Sequence, residues 1–154
     1  MSDNQEVIKH LNIILSNELV AINQYFLHAK ILQNQGFNKL ADVAKAESID
    51  EMKHADIIIE RILFLKGIPN MDSYRKLAIG KDVKAMINND LQLEVKAIGD
   101  LRNAIKAAID AKDTGSKDLL EKILISEEKH MDFLQTQLDL IKTVGIENYL
   151  TTQI

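Results

Sequence analysis

The sequence predicts an all-α fold: a four-helix bundle built from two antiparallel helical hairpins joined by one long crossover, with a short fifth helix at the C-terminal end. Three observations carry that prediction. At 154 residues and 46% hydrophobic, with one proline and six glycines, the chain has enough apolar material for one core and few interruptions to long helices. Apolar residues recur at spacings of three and four over four long stretches. An offset of 76 residues carries Glu18 onto Glu94, Glu51 onto Glu127 and His54 onto His130, with apolar pairs such as Leu15/Leu91, Ile22/Ile98 and Ile58/Leu134 in step. The second hairpin therefore reads as a copy of the first.

Taken in order, Ser2-Asp3-Asn4-Gln5 has the form of a capping box. An apolar stripe follows at Leu11, Leu15, Ile22, Tyr25, Ala29 and Leu32, and Glu18 falls within it. Asn34 to Asn38, around Gly36, breaks the pattern. A second helix then runs to Leu65-Lys66-Gly67, with the stripe Leu40, Ala44, Glu47, Glu51, His54, Ile58, Ile62 and Leu65. Residues 66 to 82, holding Gly67, Pro69 and Gly80, are the one long connection. A helix of about 28 residues is about 42 Å long, whereas 17 extended residues reach about 56 Å, so the connection can cross the whole bundle. A third helix is expected from about Asp82 to Ala111, with Ile87, Leu91, Glu94, Ile98, Leu101, Ile105 and Ala108 inward. Asp113-Thr114-Gly115-Ser116 turns the chain into a fourth, with Leu120, Ile123, Glu127, His130, Leu134, Leu138 and Ile141 inward. Gly145 marks its stop, and Ile146 to Leu150 forms a fifth. No boundary divides residues 1–154, which read as a single domain.

Composition narrows the function. The net charge of −4 comes with no long run of lysine or arginine, so no nucleic-acid partner is expected. Neither a basic, apolar leader nor a run long enough to span a membrane is visible, and a cytoplasmic protein is the simplest reading. The absence of cysteine leaves oxygen and nitrogen as the only metal ligands.

Glu18, Glu51, His54, Glu94, Glu127 and His130 all lie in apolar stripes, and the midpoints of the two hairpins put them in one layer. Glu51 with His54, and Glu127 with His130, are three residues apart and so share a helix face. A lone Glu-x-x-His is ordinary surface decoration; two of them in register with two further glutamates are not. Unpaired buried ions cost several kcal/mol each. No lysine or arginine occupies the same stripes at that level. Two divalent cations would balance four carboxylates, and the donor set suits iron or manganese. The pairing of half-sites puts Glu18 and His54 on one ion and Glu94 and His130 on the other, with Glu51 and Glu127 bridging.

This arrangement, with Glu47-Ser48-Ile49-Asp50-Glu51-Met52-Lys53-His54-Ala55-Asp56 in the second helix and a short fifth helix, resembles bacterioferritin, of the ferritin-like superfamily, over the whole chain. The resemblance implies a hollow 24-mer cage built from dimers, which stores ferric mineral and acts as a ferroxidase. Two Fe ions per subunit would be oxidised by O2 or H2O2 at Glu18, Glu51, His54, Glu94, Glu127 and His130. Met52 is turned about 100° from Glu51 around the helix, and its repeat mate is Glu128. The resemblance makes Met52 the axial ligand of a haem b shared between two subunits, with Leu19, Ile22, Asn23 and Phe26 as pocket candidates. An electron-donor protein such as a ferredoxin would supply electrons for iron release. Tyr25 could donate an electron or simply pack, and Glu47 could line an ion route or be capped. His10 and His28, off the stripes, are expected to face solvent. The alternative is a non-storage di-iron or di-manganese redox enzyme, peroxidase- or catalase-like, of lower oligomeric order.

Overall fold

The computed structural model describes residues 1–73 and 75–154. It contains α1 (Asp3–Asn34), α2 (Asn38–Phe64), α3 (Val83–Asp110), α4 (Thr114–Val144) and α5 (Ile146–Thr151), in the predicted order and within a few residues of the predicted ends. The pairs α1/α2 and α3/α4 form the two hairpins, and α1 packs along α3 to join them. Among the described residues no helix is long and apolar enough to cross a membrane.

Local chemistry fixes the ends. Ser2 forms a capping box with Gln5, Asp82 caps Ala85 N–H, and Asp113 caps Ser116 N–H. Gly145 takes a positive φ of 84°, the conformation that lets α4 stop and α5 turn away. Tyr149 of α5 is buried and donates its hydroxyl to Gln137 Oε1 at 2.7 Å, while Gln153 C=O accepts from Lys39 N–H. Arg61, near the end of α2, donates to Ser116 Oγ and to Asp113 Oδ1, which ties that end to the α3/α4 turn.

The core falls into two apolar clusters. One gathers Leu11, Leu15, Ile58, Ile62, Leu101, Leu120 and Ile123; the other gathers Leu32, Leu40, Met86, Ile87, Leu91, Leu134 and Tyr149. The buried glutamates and histidines lie at the helix levels between them, so water is excluded from both sides of that layer.

The crossover is held along α1 by a row of polar side chains. Asn4 donates to Leu65 C=O; Asn12 bonds both Ile68 C=O and Asn70 N–H; Asn17 accepts from Arg75; Gln24 accepts from Ala78 N–H; His28 Nε2 accepts from Gly80 N–H. The expectation that His28 faces solvent is overturned, because the residue is fully buried. Its Nε2 is an acceptor, so Nδ1 carries the proton and donates to Asp90 Oδ1 at 2.9 Å. Gln24 donates to the same oxygen, and the trio fastens crossover, α1 and α3 together. The helical stripe pattern marks what faces the other hairpin; it is silent on what faces a crossover. His10 is half-buried beside Glu6.

Candidate metal centre

Each of the four long helices contributes to one buried polar layer. Glu18 comes from α1, Glu51 and His54 from α2, Glu94 from α3, and Glu127 and His130 from α4. All six are buried. Ligand atoms of Glu18, Glu51, His54 and Glu127 lie within 4.8 Å of one another, and so do those of Glu51, Glu94, Glu127 and His130. Glu51 and Glu127 belong to both sets.

The distances have the form of a ligand shell. His54 Nδ1 is 3.5 Å from Glu18, 3.3 Å from Glu51 and 3.2 Å from Glu127. His130 Nδ1 is 3.5 Å from Glu51, 3.7 Å from Glu94 and 3.7 Å from Glu127. Ligands about 2.1 Å from a shared ion sit about 3.0–3.5 Å from each other, close to these values. The polar accounting agrees. Glu18 Oε1 and Oε2, Glu51 Oε1, Glu94 Oε2, Glu127 Oε1 and Oε2, and both histidine Nδ1 atoms are buried with no hydrogen-bond partner. Among the described residues only Arg75 Nε, elsewhere, shares that condition. Orphaned atoms of this kind are rare in folded proteins, and no Lys or Arg among the described residues pairs with these carboxylates. A divalent cation in each set would satisfy all of them.

Without a cation the layer holds protons instead. Burial pushes Glu51 and Glu94 up to about 8, only partly offset by His54 and His130, and it raises Glu18 and Glu127 as well. Burial alone would lower the histidines. Glu127, Glu18 and Glu51 overcome it and push His54 up to about 12; Glu94 leads the groups that push His130 up to about 10. Metal binding would have to displace the protons that burial favours on these carboxylates.

A family model described as "Ferritin-like domain" matches residues 8–144. The chain is 45% identical to a bacterioferritin of Streptomyces coelicolor over its full length, covering 92% of that protein. It is 44% identical to bacterioferritin BfrA of Mycobacterium tuberculosis, over 97% of this chain and 94% of that one. The chain belongs to the bacterioferritin family.

Other residues around the bacterioferritin layer fall into two groups. Tyr25, at the layer's edge, donates its hydroxyl to Glu94 Oε1 at 2.5 Å and sets its ring edge-on to His130, with centroids 6.3 Å apart. Glu47 is buried one turn before Glu51, and burial raises it to about 9. Met52 points out of the bundle and is 45% exposed. Ser48 Oγ donates to Ile22 C=O at 2.8 Å, which fixes α2 against α1 one turn before Met52. Phe26 and Ile49 are exposed on the same hairpin. An outward thioether beside uncovered apolar side chains fits a haem edge and a second subunit.

Two features of this bacterioferritin relative were not visible in its sequence. One is the Gln24/His28/Asp90 trio, with Asp90 one turn before Glu94. The other is Asp50, whose Oδ2 lies 3.2 Å from His130 Nε2. Asp50 and His130 are on different helices, so no spacing rule connects them.

Proposed function

We propose that this chain stores and detoxifies iron, oxidising Fe(II) at the buried layer and passing Fe(III) to a mineral held inside a cage of about 24 copies. Membership of the bacterioferritin family supports iron binding and storage. The observation that carries the site assignment is the set of orphaned ligand atoms, which coincides with the six predicted residues. Glu18 and His54 would hold one Fe(II), Glu94 and His130 the other, with Glu51 and Glu127 bridging.

The residues account for the chemistry in steps. Buried, raised carboxylates release protons as two Fe(II) bind, so binding strengthens with rising pH. Four carboxylates against two divalent ions leave a near-neutral centre, and anionic ligands favour the higher charge of Fe(III). Each Fe(II) yields one electron. Two electrons and two protons convert O2 to H2O2, or H2O2 to two waters. Glu47, buried beside the layer with a raised pKa, is placed to take up or return a proton. Haem, if carried, would be held by Met52 and the same residue of a second subunit, and it would supply a one-electron path for iron release from a donor such as a ferredoxin.

Size-exclusion of the purified protein, before and after Fe(II) loading in air, tests this reading. A cage near 400 kDa, from 17.4 kDa chains, that takes up many iron atoms per chain is expected. Elution as a monomer or dimer that turns over peroxide without retaining iron would favour the non-storage redox enzyme.

A further inference from the structure

We infer that Asp50 is a positioning residue for His130 and that it makes the two metal positions unequal, so that a divalent cation is held more tightly by the Glu94/His130 half than by the Glu18/His54 half. This rests on the two-ion reading above.

An imidazole that binds a metal through one nitrogen must present a lone pair there and place its other N–H elsewhere. A carboxylate that accepts that N–H fixes the tautomer and ring orientation and makes the ligating nitrogen a stronger donor. His130 meets both conditions. Its Nδ1 faces Glu51, Glu94 and Glu127, and its Nε2 is 3.2 Å from Asp50 Oδ2. His54 meets only the first. Its Nδ1 faces Glu18, Glu51 and Glu127, but its Nε2 has no hydrogen-bond partner among the described residues.

The internal repeat shows where the symmetry breaks. The 76-residue offset that matches the six ligands carries Asp50 onto Ser126, whose short neutral side chain makes no hydrogen bond among the described residues. The carboxylate ligands differ in the same direction. Glu94 is oriented by Tyr25, while both oxygens of Glu18 lack any hydrogen-bond partner. Tyr25 maps onto Leu101, which has no hydroxyl to offer. Both outer supports therefore stand behind the same half.

Co(II) is a suitable probe, because it occupies oxygen and nitrogen sites without being oxidised by air on the timescale of a titration. Metal-free, assembled protein titrated with Co(II), followed by calorimetry and visible absorption, should show two unequal steps. His130→Ala should remove the tighter step and His54→Ala the looser. Asp50→Ala should weaken the tighter step about 10-fold, the lower end of the usual loss for such partners because Asp50 is half open to water, and leave the looser one in place. Asp50→Asn keeps an oxygen acceptor and should lose less; Ser126→Asp should tighten the looser step.

If Asp50→Ala leaves both constants within twofold of wild type, or weakens the step that His54→Ala removes, the inference is wrong while the two-ion site stands. If wild-type protein takes up no Co(II), or His130→Ala and Glu94→Ala bind it as wild type does, the two-ion reading itself fails.

Discussion

Met52 and Glu128 occupy matching positions in the two halves of the repeat, and only Met52 offers a soft ligand on an uncovered apolar face. Met52→Leu conserves volume and should cost under about 1.5 kcal/mol of stability. Twofold symmetry would remove both sulfurs at once, so protein supplied with haem should purify as an intact assembly without haem absorption, still oxidising Fe(II) because Met52 points away from the layer. Full haem retention in Met52→Leu would assign the iron to another side chain. The six residues of the buried layer stood out in the sequence for one reason: charged groups on an apolar stripe are costly, and the cost makes them conspicuous. Asp50, Gln24, His28 and Asp90 act across helices or against the crossover, where one-dimensional spacing carries no signal. The expectation that His28 faces solvent fails on that account, since a residue off the inter-helix stripe can still be buried under a loop.

The helices follow from period, caps and breakers, and their ends were legible to within a few residues. The crossover's length was legible too, whereas its path was not, because it depends on which α1 side chains meet which backbone groups. Gly80 is where that path is tightest. A Cβ there would run into the backbone of Met86 in the first turn of α3, which cannot move aside without disturbing the Asp82 cap. Gly80→Ala should therefore destabilise the fold by about 1–3 kcal/mol, by overpacking. Thermal unfolding of the metal-free variant checks this, and an unchanged midpoint would mean that the crossover relaxes freely around His28. A Cβ at Gly36 or Gly145 would meet no neighbouring atom, so space does not constrain these positions; their positive φ does.

For the molecule as a whole, the buried layer links stability to pH. The folded pKa values of Glu51 and Glu94 are raised from 4.5 to about 8, and those of His54 and His130 from 6.5 to about 12 and about 10. The folded state thus binds more protons than the unfolded one. The layer's contribution is fully present below about pH 4.5 for the carboxylates and about 6.5 for the histidines, and it is lost as pH rises through the folded values. The unfolding midpoint of metal-free protein should fall between pH 5 and pH 8, and a divalent cation should cancel the fall by taking the protons' place. A metal-free midpoint that climbs over that range would show that the layer is not protonated. Anaerobic loading with increasing Fe(II), followed by mixing with O2, tests most directly whether the six residues form one two-iron oxidation site. A fast oxidation phase whose amplitude saturates at two Fe(II) per chain is expected, and its loss in Glu94→Ala and His130→Ala. A fast phase without a break at two, or one that persists at wild-type rate in both variants, would contradict that assignment.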